Sequence, residues 1–560
     1  MQLIPRYLVI KILSYYINHT YPYSELLIFA LLKISLVCRE WRDQVLIRLP
    51  ISLNVYFFKN NIYNVFRNYL EKGITMNINI ELNHFNNETL GKYSNQFREI
   101  FIYDLNSIPM DLIQVKQIRI FVDLNKDTRD RLTKFKDQIS TLILGNINHL
   151  PINDPAHVFP SLEKLYVYNT NSIQTLSGLS LYKSLKNLML SFPNTPHQRD
   201  IVSLIESLPN LVYLKLETCP THQEYEGSMI LGTLSKNTNL RNVHFLFTIY
   251  VVTQGDLIHC LNSNKTMKKF SYSFKIVSNH PGIAGGVTGL SNDAISNSSL
   301  KEIGVGNMVK NQLFYQWKVT SQLKSLNWYY TDSTQEDALK SIDLYHRKLK
   351  NVKIHFNHQT TMAMYESNMQ SLLKLNLSNL TVLEVVLKDT GSTIAHSSSH
   401  FLLTGISSMK QLKKLKCTVK FQELLEFLGS SNPSTNLQEL SIVKLFDEFS
   451  IETLCQYLST NRVLKSFSLN ISSNLPRESL SEYFHHLCTV FCKNHILHSL
   501  TIEKPKGSIL REDLLDHNNL IEIDKALEAN QSSLFNFFYI SKNRQLKNLF
   551  NKYSIKTASK

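Results

Sequence analysis

The sequence predicts an α/β repeat array: short parallel strands stacked on the inside, helices on the outside. Three observations lead there. A pattern of three apolar residues, the second three positions after the first and the third two after the second, recurs along most of the chain. The copies follow one another at a near-regular spacing. Helical apolar patterns fill several of the gaps between them.

The clearest copies are Leu162/Leu165/Val167, Leu185/Leu188/Leu190 and Leu211/Leu214/Leu216. Others begin at Leu240, Leu300, Leu323, Leu349, Leu380, Leu412, Leu437, Leu464 and Leu497, with weaker ones at Phe97, Val115, Ile139, Met267 and Leu534. That makes about seventeen copies at a mean spacing of roughly 27 residues. The last two apolar residues sit two apart, so they share one face of a strand, and the residues beside them face the other way. A single unit cannot bury that face, whereas a stack of units can.

The intervening segments supply the second wall. Asp200 to Leu208 has helical apolar spacing and precedes Pro209. Similar helices are readable over Phe421–Leu428, Ile451–Leu458 and Leu480–Phe491. Several copies carry an asparagine three residues before the first apolar position: Asn237, Asn264, Asn297, Asn461 and Asn494. Asparagine tolerates the left-handed conformation that often ends a helix, which is the expected reason for its place.

Helix, turn and strand in this order resemble the leucine-rich-repeat family, in its helix-containing horseshoe form. The resemblance covers residues 97–545. It departs from the family in lacking, in most copies, the Asn or Cys expected just after the strand, and in the long unit between Met267 and Leu300.

Residues 1–50 do not follow the repeat. Pro5 opens a helical pattern with Leu8, Ile12 and Leu13 on one face. Leu26–Lys33 suggests a second helix, and Leu36-Val-Cys-Arg-Glu-Trp41 follows. This small all-α module resembles an F-box. The resemblance implies docking to a Skp-type adaptor and cullin scaffold through Ile4, Pro5, Leu8, Ile12, Leu13, Leu36, Val37 and Trp41. The competing reading is a plain helical cap for the open end of the array. Residues 51–96 are expected to hold a connecting helix, Ile62–Leu70, and a degenerate first repeat over Thr75–Leu82. Residues 546–560 read as a basic C-terminal tail.

The 560 residues carry a net charge of +15, a surface that attracts acidic partners. No compact Lys/Arg block stands out, so a solvated basic surface is the competing explanation. Seven scattered Cys make no disulfide framework and suit a reducing compartment. Lys11 interrupts the first apolar stretch, no signal-peptide cleavage site follows, and no apolar run reaches membrane-spanning length. A cytoplasmic or nuclear protein is expected, with no membrane partner.

Enzymatic chemistry is not expected. His485, Cys488, Cys492 and His495 follow one helix and cannot surround an ion. The glycine-rich segment Pro281–Gly289 lacks the lysine of a phosphate loop, and His396 and His400 lack the glutamate of a zinc-protease helix. Neither metal nor cofactor is called for. The resemblance instead implies the substrate receptor of a cullin-based ubiquitin ligase. The alternative is a repeat scaffold, with a possible nucleic-acid association; as a direct partner, nucleic acid is not expected.

The target site is expected on the strand face opposite the anchors. There the early repeats place Phe101, Tyr103, Arg119, Phe121, Tyr166, Tyr168, Tyr213 and Lys215. Tyr and Arg dominate binding hot spots, and Lys164, Lys215 and Lys353 point to an acidic or phosphorylated target. An aromatic ladder that only stiffens the sheet is the other reading. Later repeats offer smaller residues: Ser271, Ser273, Gly304, Gly306, Ser466 and Ser468.

Overall fold

Every one of the seventeen copies opens a strand two residues after its first apolar position. The computed structural model describes residues 139–144, 159–168, 178–218, 225–246, 250–277, 294–305, 317–330, 335–356, 362–387, 409–429, 436–445, 450–470, 480–503, 517–529, 536–538 and 544–553 with few gaps. Before these it describes strands 51–55, 76–80, 99–102 and 117–122 and a few single positions. The chain divides into two compact units, Met1–Val252 and Thr253–Lys560.

In the first unit the ladder runs through β1 (Glu99–Ile102), β2 (Gln117–Val122), β3 (Thr141–Leu144), β4 (Lys164–Val167), β5 (Asn187–Phe192), β6 (Tyr213–Thr218) and β7 (Asn242–Leu246). Each strand pairs in parallel with the next. In the second unit it runs through β8 (Lys269–Tyr272), β9 (Glu302–Val305), β10 (Ser325–Tyr330), β11 (Asn351–Phe356), β12 (Val382–Leu387), β13 (Lys414–Val419), β14 (Glu439–Leu445), β15 (Ser466–Asn470), β16 (Ser499–Glu503) and β17 (Asn536–Phe538). These pairings are also all parallel. Together they give a solenoid-like α/β fold.

The anchors set the register. Leu165 lies opposite Leu188, and Leu188 opposite Leu214. In the second unit Leu326 lies opposite Val352, and Leu440 opposite Phe467. The β2–β3 pair departs from this by two residues, matching Ile120 rather than Ile118 to Leu142. A two-residue step preserves the face, because side chains alternate with period two. Leu188, Leu214, Leu326 and Leu440 are buried.

Helices close the core where the apolar spacing changes from two to between three and four. In the first unit these are α1 (Gln198–Ser207) and α2 (Ser228–Lys236), which pack side by side. The second unit holds α3 (Gln254–Ser263), α4 (Gln335–Tyr345), α5 (Met362–Leu373), α6 (Phe421–Gly429), α7 (Ile451–Thr460), α8 (Leu480–Lys493), α9 (His517–Ala529) and α10 (Arg544–Lys552). There α6 to α9 pack in sequence order, and α10 packs on α9. Local chemistry starts several of them. The Thr253 hydroxyl accepts from the Asp256 amide at 3.1 Å to open α3, and the Ser450 hydroxyl accepts from Thr453 at 3.2 Å to open α7. No helix among the described residues is long and apolar enough to cross a membrane.

The asparagines act through a different mechanism from the one expected. Asn264 and Asn461 have φ/ψ of −79°/108° and −66°/129°, extended rather than left-handed. Their side chains carry the role. The Asn461 Oδ1 accepts from the amides of Val463 and Leu464 at 3.1 and 3.0 Å. Asn494 does the same for Ile496 and Leu497, both at 2.9 Å. Its Nδ2 then reaches back one repeat, to the carbonyls of Leu458 (2.6 Å) and Asn461 (3.1 Å). Asn297 likewise donates to the Asn264 carbonyl at 3.0 Å.

In other repeats the same position holds a buried Phe159, Tyr182, Leu208, Leu377 or Met409. There its backbone carbonyl accepts the amide of the first anchor, as in Leu162 to Phe159 (3.1 Å) and Leu380 to Leu377 (2.9 Å). His346 belongs to this second group: the Leu349 amide donates to its carbonyl at 3.0 Å. Its ring meets the Ser321 hydroxyl at 2.6 Å and packs edge-on against Trp317.

Some expectations fall differently or elsewhere. The 546–560 segment begins inside α10, where Leu546 and Phe550, four apart, are buried, and Lys552 pairs with Asp524 at 2.7 Å. Met76–Ile80 is a strand, paired in parallel with Ile51–Val55. The helix expected over Ile62–Leu70, the glycine-rich segment 281–289, and His396 and His400 lie outside the described residues. So does most of the N-terminal module, in which Val9, Ile10 and Leu13 are helical and half-buried.

Asn494→Ala leaves two amides and two carbonyls without their partner, so it is expected to cost about 3 kcal/mol. A urea titration of the variant that shows less than about 1 kcal/mol of lost stability would dismiss the ladder as an energetic feature. For His346, burial lowers the pKa to about 4, against roughly 6.5 in an unfolded chain. Between these values the unfolded state takes up the proton that the folded state refuses. The neutral ring's contribution to stability is therefore full above pH 6.5 and is lost as pH falls towards 4. His346→Asn is expected to flatten that slope, measured as urea midpoints at pH 7 and 4.5; an unchanged slope sinks the assignment.

Candidate binding face

Residues between the anchors line up in rows across the first unit, because the register matches anchor to anchor. One row runs Phe101, Arg119, Thr141, Lys164, Asn187, Tyr213, Asn242. The next runs Phe121, Ile143, Tyr166, Met189, Lys215, His244. Six of the residues expected to hold a target thus occupy two adjacent rows: Phe101, Arg119 and Tyr213 in one, and Phe121, Tyr166 and Lys215 in the other. For the first two strands this placement is one of backbone register only. Tyr103 lies outside the described residues.

Tyr168 follows β4 directly and is 48% exposed, the most exposed aromatic ring on this face among the described residues. Tyr166 and Tyr213 are half-buried. The Tyr213 ring lies 5.5 Å from that of His244, tilted by 45°. Burial raises the Tyr213 pKa, and the nearby Tyr166 and Glu217 push it further the same way. The phenol therefore stays protonated and can donate a hydrogen bond. Met189 and His244 join the second row, and Leu246, opposite Glu217, follows the last anchor of its copy as Tyr168 follows Val167; none of the three was expected from the sequence. The signal was present, since each sits at an alternating position in its own copy.

The charges differ from the expected basic face. Lys215 is paired with Glu217 on its own strand at 2.5 Å. In the second unit Lys353 and Lys416 share Glu384, at 3.0 and 2.7 Å. Two of the three lysines expected to attract an acidic target are thus neutralised from within, the reason being that the acidic partners also sit at alternating positions. What remains in the first unit is an amphipathic band of phenols, thioether and imidazole. The face is flatter at Ser271 and Gly304. A Cβ at Gly304 would lie 2.7 Å from the Ser271 hydroxyl, so these two strands carry little side chain to grip with.

Elsewhere the chemistry-bearing pairs have structural partners. Ser321 and His346 have a nucleophile–base distance, but both are fully buried, and no substrate reaches them. His485 is exposed and paired with Glu522 at 2.7 Å. Cys488 is buried and its thiol is pushed up to about 12 by that burial and by Glu522 and Cys492. No group of three metal-ligating side chains occurs among the described residues.

Neither a scan of protein-family models nor a search of curated proteins finds a match to this chain. Its class therefore rests on its own architecture, a solenoid-like α/β protein whose parallel strands present one row of side chains per register position.

Buried aromatics at an interface typically contribute more than 1 kcal/mol each. Replacing Tyr166, Tyr168 and Tyr213 together by Ala is expected to cut recovery of the chain's bound proteins by about tenfold or more. Affinity purification with quantitative mass spectrometry measures this. Equal recovery by the triple variant, with loss instead on altering exposed residues of α1 and α2, assigns binding to the helical side.

Proposed function

We propose that the chain is the substrate-recognition subunit of a cullin-based ubiquitin ligase. The observation that carries this reading is an order of parts. The string Leu36-Val-Cys-Arg-Glu-Trp41, preceded by Ile4-Pro5 and a helical pattern through Leu8, Ile12 and Leu13, stands directly before the repeats. The first part docks a Skp-type adaptor and the second holds a target protein.

Such a subunit needs no catalytic side chain. It raises the effective concentration of target lysines beside the transfer enzyme, and binding free energy is converted into proximity. The aromatic band around Tyr166, Tyr168 and Tyr213 suits the second task. Phenols bring large contact area at low entropic cost together with a hydrogen-bonding tip. The internal neutralisation of Lys215 favours a target surface read by shape and hydrogen bonds over one selected by negative charge alone.

Adaptor docking through the apolar face of the first helix tests the proposal. Leu8→Asp with Ile12→Asp places unpaired charge in that contact. Capture of purified Skp-type adaptor is expected to vanish while the urea midpoint of the repeats stays unchanged. Full-strength capture by the folded double variant, or none by the wild-type chain, overturns the reading.

A further inference from the structure

The position directly after the first anchor lies on the edge where the chain enters each strand. In the second unit it holds Lys268, Lys301, Lys324, Lys350, Lys413 and Lys465. Backbone hydrogen bonds stack these positions without a gap. The Lys301 amide donates to the Lys268 carbonyl at 2.8 Å, Lys324 to Lys301 at 2.7 Å and Lys350 to Lys324 at 2.8 Å. Thr381 carries the same link from Lys350 to Lys413, and Gln438 from Lys413 to Lys465. Neighbouring members are thus one strand spacing apart, ~4.8 Å, and the column spans about 34 Å over eight repeats.

One position further on, this unit neutralises its lysines. Lys269 pairs with Glu302 and Lys414 with Glu439, both at 2.7 Å. On the edge it does not. None of the six column lysines forms an ion pair with a described residue, and all but the half-buried Lys268 are exposed. Like charges stacked on adjacent strands repel, so the column is left uncompensated where the next column is balanced.

We propose that this edge binds the phosphate backbone of a double-stranded nucleic acid, without reading its sequence. The column length matches about one duplex turn, ~34 Å. Lysine, a mobile point charge, suits phosphates whose positions vary, where arginine would impose a forked geometry. Beyond Lys465 the column continues to His498, whose amide donates to the Lys465 carbonyl at 2.7 Å, but between Lys268 and Lys465 it has no aromatic residue on which successive unpaired bases could stack, which favours a duplex over a single strand. Over the same stretch it also has no apolar residue to anchor a protein partner, whose binding would need one. The expectation from sequence that nucleic acid is not a partner rested on the lack of a compact basic block. The fold assembles one from residues spread over almost two hundred positions.

The test uses the full chain and fluorescence anisotropy on mixed-sequence 24-base-pair duplexes, one DNA and one RNA, at 50 to 200 mM salt. The variant Lys301→Gln/Lys324→Gln/Lys350→Gln is compared with Lys236→Gln/Lys493→Gln/Lys525→Gln, which removes equal charge from helices. The wild type is expected to bind, with a log–log salt slope that the edge variant makes shallower by about 2 to 3. Affinity at 100 mM salt should fall at least tenfold in the edge variant and less than threefold in the control. The tighter duplex identifies the nucleic acid. Three results would each overturn the proposal: no binding of either duplex at 50 mM, equal loss in both variants, or tighter binding of poly-glutamate than of duplex. Adaptor capture is unaffected by any of these outcomes, so this inference and the proposed function fail separately.

Discussion

The hydrogen bond that the first anchor's amide makes to the residue three before it is the constraint on which the remainder depends. It turns the chain out of the preceding segment and into the strand at a fixed place. Once it is made, the next two anchors fall on the buried face and the residues between them on the open one. Among the described repeats the protein makes this bond in two ways, except that the Leu323 amide donates instead to the Ser321 hydroxyl, two residues before it, at 3.4 Å. Where the position is apolar or His346, the main-chain carbonyl accepts. Where it is Asn, the backbone is extended and the side-chain oxygen takes the carbonyl's place. The second solution leaves the amide nitrogen of the side chain free to bond the previous repeat, which adds a link between units that the first cannot supply. Burial then separates the two chemically, since an apolar side chain fills the space and an asparagine must satisfy every polar atom it brings.

From that turn come three parallel consequences on three columns of side chains. Anchors stack into the core. The residues between them stack into the open rows that hold Tyr166, Met189 and Lys215. In the second unit the residues just after the first anchor stack along the edge, six of them as lysines. The same register therefore builds a core, an amphipathic band and a basic rim from one repeating segment. Charge is handled column by column: Glu384 balances Lys353 and Lys416 on the face, while the rim carries an acid in the first unit, where Glu163 pairs with Lys186 at 2.6 Å, and none between Lys268 and Lys465 in the second.

Much of the fold was legible because its signal is local. The spacing of three and then two marks the start of all seventeen ladder strands, including the weak copies at Phe97, Val115 and Leu534, but not of short strands such as Tyr225–Glu226, Tyr250–Thr253 and Lys275–Val277. Helices such as Phe421–Gly429 and Ile451–Thr460 were readable for the same reason. The asparagines were located correctly and explained wrongly. Their position is visible in the chain, but the carbonyls that Asn494 bonds belong to residues 33 and 36 positions away, and no local pattern points to them. The face residues were read from alternation alone, so the aromatic members were noticed and Met189, His244 and Leu246 were passed over.

By itself, then, the sequence determined which residues begin a strand, which face each side chain takes and where helices lie between, since all three follow from periodicities of two and about 3.6 residues. Only the tertiary structure decided which residues become neighbours. Stacking brings residues separated by a whole repeat to one strand spacing, ~4.8 Å. At that distance Lys353 loses its free charge to Glu384, Asn494 reaches the repeat before it, and lysines that look scattered along the chain become one basic edge.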